Sequence, residues 1–69
     1  MATRSRELDK IDRKILRILQ QEGRISFTEL GERVGLSTTP CTERVRRLER
    51  EGVITGYYAR LDPQYVKAG

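Results

Sequence analysis

The chain has 69 residues, enough for one small domain whose core alone leaves it only marginally stable. Fourteen Lys and Arg face ten Asp and Glu, a net charge of +4 that suits a polyanionic partner without identifying one. A single cysteine excludes an internal disulfide, and no apolar run is long enough to target or cross a bilayer. We therefore expect a cytoplasmic protein with no membrane partner.

Catalytic chemistry finds no support in the residue types present. The chain has no histidine, no cluster with metal-ligand spacing and no Gly-rich phosphate loop. Its one cysteine, Cys41, has no visible base beside it, so we interpret it as a small buried hydrophobic residue and not as a nucleophile or metal ligand. The sequence predicts that the chain is not an enzyme.

The first predicted element is an amphipathic helix at residues 9–22, preceded by a polar, flexible arm at residues 1–8. The apolar side chains that repeat with a helical period are Ile11, Ile15, Ile18 and Leu19. Asp9 is placed to cap the start of this helix, and Gly23 ends it. We interpret the arm as a solvated tail, with contact of its arginines to DNA as the alternative.

The second predicted helix covers residues 27–34 and has an unusually complete start signal. Ser26, followed three residues later by Glu29, is a capping box in which each side chain bonds the backbone N–H of the other residue. Gly31 is a poor helix former in the middle of the helix, which indicates that a neighbouring helix approaches closely there. Gly35 ends the helix after about two turns, so a tight turn follows.

The third predicted helix covers residues 38–51, with Ser37 as its capping residue and Gly52 after its end. Projected at about 100° per residue, its inner face consists of Cys41, Val45 and Leu48. The outward face carries hydroxyl groups near the N-terminus and guanidinium groups further along, an order that suits DNA recognition. We predict that DNA is bound by Ser37, Thr38, Thr39, Thr42, Glu43, Arg44, Arg46, Arg47 and Arg50.

Two helices joined by a tight glycine turn, the second rich in arginine, are typical of the helix-turn-helix that reads the DNA major groove. In this interpretation Arg46 contacts a base edge, while Arg44, Arg47 and Arg50 contact phosphates. Two alternatives remain. The arginines could form a solvated face, because acidic residues four positions away can pair with Arg47. The third helix could also dock on a protein, which would make the chain a helical protein-protein interaction module.

Residues 56–62 alternate in polarity and are rich in aromatic residues, so the sequence predicts a strand with Tyr57, Ala59 and Leu61 on one face. Nothing downstream offers a hairpin partner, so this strand must pair with a second chain or stay loose. We expect a strand-mediated homodimer. Tyr57 and Tyr58 are interpreted as interface or core residues and not as platforms for stacking single-stranded nucleic acid.

The predicted fold class is mainly α, a three-helix, winged-helix-like helix-turn-helix domain over residues 9–55 followed by one short β-strand. Three runs of sequence add a resemblance to a known family: D-K-I-D-R-K-I-L at residues 9–16, G-L-S-T-T-P-C at residues 35–41 and R-V-R-R-L-E-R-E-G-V-I at residues 44–54. On these runs, residues 8–65 resemble the amino-terminal domain of the Lrp/AsnC, or feast/famine, transcriptional regulators.

The resemblance implies a three-helix DNA-binding domain with its third helix in the major groove, and a strand that pairs across a dimer. It further implies a second domain that binds an amino-acid effector and drives assembly into larger rings. That domain is expected to begin after about Val66, so residues 63–69 would be a linker to it and the chain a DNA-binding fragment of a longer regulator. On this expectation the fragment needs no cofactor, dimerises weakly or not at all, and acts on double-stranded DNA in the nucleoid of a bacterial or archaeal cell.

Overall fold

The computed structural model describes residues 8–66, and these fold into three helices. The helices are α1 (Lys10–Gln21), α2 (Phe27–Val34) and α3 (Thr38–Arg50). Each bound lies within one residue of the bound predicted from the sequence, and the mainly helical fold class is confirmed. The predicted arm, apart from Leu8, and the last three residues of the predicted linker lie outside the described residues.

Side-chain caps fix where the first two helices begin. The Asp9 carboxylate accepts the N–H of Asp12 at 2.8 Å, and the Ser26 hydroxyl accepts the N–H of Glu29 at 3.0 Å. Of the predicted capping box, only the bond from the N–H of Glu29 to the Ser26 hydroxyl forms among the described residues. The Glu29 carboxylate lies instead 3.3 Å from the guanidinium of Arg33, one turn further along α2.

The core lies between the three helices and is fully closed at its centre. Its completely buried side chains are Ile15, Leu30, Cys41, Val45 and Leu48. The predicted inner face of α3 is therefore confirmed. Partly buried apolar residues of α1, α2 and their flanking turns pack around this centre, so all three helices have their apolar sides toward one shared core.

The predicted strand at residues 56–62 does not form in the single chain, since no strand is present in residues 8–66. A strand needs a hydrogen-bonded neighbour, and this chain offers its tail segment none. Pairing with a second copy stays a prediction. Among residues 8–66, none of the three helices is both long and apolar enough to cross a membrane.

Candidate nucleic-acid interface

The outward face of α3 brings together most of the predicted DNA contacts. Two of the predicted residues, Thr42 and Arg44, lie half-buried on its flanks. The remaining predicted contacts are exposed: Ser37, Thr38, Thr39, Glu43, Arg46, Arg47 and Arg50. Thr39 and the charged residues of this set lie on the side of α3 opposite its core residues, while Ser37 and Thr38 lie at its N-terminal end, so the face is open to a partner.

The position of this face is set by an unusually close approach between α2 and the start of α3. Gly31 is buried, and a Cβ atom there would lie 2.5 Å from the backbone oxygen of Leu36 and 3.5 Å from the Cβ of Cys41. Gly35 closes α2 in the left-handed conformation, with φ of 82°. The turn is further held by a hydrogen bond of 2.8 Å from the N–H of Leu36 to the oxygen of Gly31.

Hydroxyl groups cluster at the N-terminal end of α3, and some of them are already bonded. The Thr38 hydroxyl lies 3.2 Å from that of Thr28 in α2, and the Thr42 hydroxyl donates to the Thr38 oxygen at 2.9 Å. Ser37 occupies the capping position, but its side chain makes no capping hydrogen bond, which corrects the predicted cap. The hydroxyls of Ser37 and Thr39 therefore point to no acceptor within residues 8–66.

The exposed guanidinium groups of α3 are held to different degrees. The guanidinium of Arg46 lies 5.9 Å from the ring centroid of Phe27, a cation-π contact with the first residue of α2. Arg47 pairs with Glu51 at 3.2 Å, as its spacing predicted. Arg50 forms no ion pair with any of residues 8–66. Arg46 and Arg50 therefore carry the unpaired charge of this face.

Arg44 lies on the flank of the exposed face, where an ion pair with α1 holds it, and its phosphate contact stays a prediction. Its guanidinium lies 2.8 Å from a carboxylate oxygen of Asp9 and 3.1 Å from one of Asp12, whose residue is only 1% exposed. Hydrogen bonding to Asp9 is the largest cause that raises the pKa of Arg44, ahead of the opposing effect of burial. We assign Arg44 to joining the start of α1 to α3.

Sequence reasoning missed this ion pair, although the chain contains a signal for it. Asp12 lies within the apolar stripe of α1, where an unpaired carboxylate would be costly to bury. Arg44 correspondingly occupies a place where helix-turn-helix sequences commonly have an apolar residue. A buried acid on one helix together with a cation near the core side of another predicts a buried pair between them.

The residues predicted to form a dimer strand are exposed, and one of them contacts α3. The Tyr57 hydroxyl donates to the Glu49 carboxylate at 2.7 Å, a bond between the tail and the helix that the sequence did not predict. Partial burial and the Glu49 carboxylate raise the pKa of Tyr57 to about 12. Ala59 and Leu61 have no such contact and are exposed.

No group of His, Cys, Asp or Glu within residues 8–66 is arranged to hold a metal ion. Cys41 is completely buried in the core, and burial raises the pKa of its thiol. It packs as a small apolar side chain, as its place on the inner face of α3 predicted.

Known proteins resemble this chain over most of its length. The family model described as "Winged helix-turn-helix DNA-binding" matches residues 8–55, which contain all three helices. The leucine-responsive regulatory protein of Salmonella typhimurium is 64% identical over 63 residues, which are 91% of this chain and 38% of that protein. The chain thus spans well under half the length of this curated relative.

Solved structures agree with this comparison. The AsnC family transcriptional regulator from Agrobacterium tumefaciens is 49% identical, with a TM-score of 0.79 over 83% of this chain and 37% of that one. A transcriptional regulator from Neisseria meningitidis, solved as a complex with L-Met, is 48% identical, with a TM-score of 0.81 over 84% of this chain and 38% of that one. These matches do not favour the protein-docking alternative. The chain belongs to the winged helix-turn-helix DNA-binding family, and its resemblance to the Lrp/AsnC transcriptional regulators is confirmed.

Proposed function

We propose that this chain binds double-stranded DNA sequence-selectively in the regulation of transcription, with α3 in the major groove and α2 across the backbone. The observation that carries the proposal is the exposed face of α3, with free hydroxyls at its N-terminal end and the unpaired charges of Arg46 and Arg50 further along. Membership of the DNA-binding family and the names of the relatives support it.

The residues of this face take different roles in the proposal. Arg46 contacts a base edge, because stacking on Phe27 orients its guanidinium while leaving it exposed. Arg47 and Arg50 contact phosphates. Polar side chains from the first two turns contact bases or phosphates, and these are Ser37, Thr38, Thr39, Thr42 and Glu43. Arg44 supports the face through its ion pair with α1.

The test compares Arg46→Ala with Arg50→Ala in fluorescence anisotropy titrations against a selected binding site and a scrambled duplex. Arg46→Ala should reduce discrimination between the two by about 1–3 kcal/mol. Arg50→Ala should weaken binding to both equally and lower the slope of log affinity against log salt by about 0.9. The matched control is Arg33→Gln, which removes an equal charge that is already paired with Glu22 at 2.8 Å.

Three results would contradict this proposal. Full discrimination in the Arg46→Ala variant would remove Arg46 from base reading. An equal loss of affinity in the Arg33→Gln control would show that binding follows net charge and not the face of α3. The absence of any binding at low salt would favour a protein partner instead.

We also propose that the protein acts as a homodimer in which residues 56–62 pair with the same segment of a second copy. Large apolar side chains of the tail support this, because Tyr58 is 87% exposed, Leu61 64% and Tyr65 84%. Within the 69 residues we expect weak association only. Sedimentation equilibrium at high concentration should show dimers that Leu61→Asp abolishes, and a strict monomer would contradict a strand-mediated dimer for this chain.

An amino-acid effector is proposed only for a protein as long as the relatives. The Neisseria meningitidis regulator was solved with L-Met, and this chain covers 38% of it. We propose that such an effector binds outside residues 8–66. Adding methionine or leucine to the labelled 69-residue chain should therefore leave its amide NMR spectrum unchanged, and saturable shifts within α1 to α3 would contradict the proposal. A DNA partner also supports a location in the cytoplasm, on the nucleoid.

A further inference from the structure

The exposed face of α1 carries a row of cations that DNA reading by α3 does not use. At 3.6 residues per turn, the row falls within an arc of about 100°, almost opposite the apolar stripe of the helix. All of its members are exposed, and they are Lys10, Arg13, Lys14 and Arg17. We call this row the α1 stripe.

The α1 stripe places four cations without acidic partners among residues 8–66 side by side on one helix face. None of its members forms an ion pair with any of residues 8–66. By contrast, Arg33, Arg44 and Arg47 are each paired with carboxylates. The α1 stripe therefore exposes more unpaired positive charge than the outward face of α3, where Arg46 and Arg50 are the unpaired arginines.

This arrangement is unfavourable for the helix itself. Lys10 and Lys14, like Arg13 and Arg17, are four residues apart, so like charges lie side by side and repel each other. Lys10 is also the first residue of α1, where the helix dipole disfavours a cation. Neither folding nor the core requires these charges, and a polyanion bound along the stripe would offset their repulsion.

The α1 stripe lies on a different side of the domain from the outward face of α3. Ile15 of α1 and Val45 of α3 both belong to the shared core, so each helix has its polar side pointing away from the other. The side of α1 that meets α3, at Asp12, lies about 150° around the helix from the centre of the α1 stripe. The stripe therefore points away from α3, and we assign the phosphates that it contacts to a DNA segment other than the one at α3.

We propose that the α1 stripe is a second DNA-backbone surface, which binds the phosphates of a second duplex while α3 reads the first. Its length from Lys10 to Arg17 is about 10 Å, which corresponds to about three phosphates of one strand. Residues Gln20 and Gln21 extend the face, and no exposed apolar side chain accompanies it, as an amphipathic helix at a bilayer would require. The proposal relies on the proposed function only for the choice of DNA as the polyanion.

The experiment measures how many short duplexes each chain binds at low salt, by sedimentation and by amide NMR shifts. The α1 variant is Arg13→Gln with Lys14→Gln and Arg17→Gln, since glutamine has a helix propensity close to that of both residues. The α3 variant is Arg46→Ala with Arg50→Ala. The duplexes are too short to span two half-sites, so the number bound per chain does not depend on dimerisation, and thermal unfolding checks that both variants fold.

We expect two duplexes per wild-type chain, with salt-reversible shifts in both α1 and α3. The α1 variant should bind one duplex, lose at least tenfold in affinity for the second, and keep its α3 shifts. The α3 variant should keep the shifts of α1. One duplex per wild-type chain without shifts in α1, or two duplexes in the α1 variant, would overturn the proposal.

The two proposals fail in different ways. Loss of the α3 shifts with retention of those in α1 would contradict DNA reading by α3 and leave the second surface intact. A parallel titration with vesicles of phosphatidylserine and phosphatidylcholine tests the other polyanion. Shifts in α1 with vesicles and none with DNA would assign the α1 stripe to an anionic membrane surface and overturn its assignment to DNA.

Discussion

Replacing Gly31 with alanine tests how the helix-turn-helix is held together. In the middle of an exposed helix this change would stabilise the domain by about 1 kcal/mol, because alanine is the better helix former. Here the new Cβ would lie 2.5 Å from the backbone oxygen of Leu36, whereas ordinary van der Waals contact begins at 3.4 Å. The obstacle is backbone, so the turn must move as a unit.

Overpacking of this kind costs about 1–3 kcal/mol, and a rigid backbone obstacle belongs at the upper end of that range. After the gain in helix propensity, we expect the free energy of unfolding to fall by about 2 kcal/mol. For a domain of this size that corresponds to a fall in Tm of about 8–16 °C. DNA affinity should fall as well, because the displaced turn carries the start of α3.

The assay is urea and thermal unfolding followed by circular dichroism, with Gly23→Ala as the matched control. A Cβ at Gly23 would meet its nearest neighbour, the Leu19 oxygen, at 3.8 Å, an ordinary contact. That control should be neutral or slightly stabilising. If Gly31→Ala proved as stable as Gly23→Ala, the close approach would not constrain the turn, and the reasoning would be refuted.

Three further predictions concern single side chains. Asp12→Ala removes the buried acceptor of Arg44 and should lower the free energy of unfolding by about 1.5–3 kcal/mol in urea; unchanged stability would mean that the pair contributes nothing. Because the pKa of Tyr57 is raised from an ordinary value of about 10 to about 12, the stabilisation from its bond to Glu49 is complete below about pH 10 and is lost as pH rises through 12. The difference between the ultraviolet titrations of the wild type and of Tyr57→Phe isolates the Tyr57 phenol. A transition near pH 10 in that difference would contradict the prediction. Cys41 should react with a thiol reagent only as fast as the domain opens, so urea should accelerate labelling, and fast labelling in native buffer would show that the thiol is accessible.

Much of the fold could be predicted from the sequence because the signals for it are local. Helical periodicity gave the buried face of α3, and the Ser26 hydroxyl caps α2 where the sequence predicted it. Gly31 in a helix predicted a close neighbour, which is the backbone oxygen of Leu36. Each of these inferences uses residues no more than about two helical turns apart.

What the sequence left undecided or missed depends on partners elsewhere. A strand at residues 56–62 was predicted from its composition, but a strand exists only beside another strand, which the single chain lacks. Arg44 was assigned to DNA because it lies on an arginine-rich helix. Its partners Asp9 and Asp12 are 35 and 32 residues away in the chain, and no local pattern brings them together.

The sequence by itself determined the three helices, the side-chain caps of α1 and α2, and the apolar side of each helix, because these follow from backbone preferences and periodicity along one segment. The tertiary structure alone decided which cations are free. Helix packing commits Arg44 to Asp9 and Asp12, stacks Arg46 on Phe27, and leaves the α1 stripe exposed on another side of the domain. The physical reason is that charge is neutralised through space, over a few ångströms, between residues whose separation along the chain carries no signal.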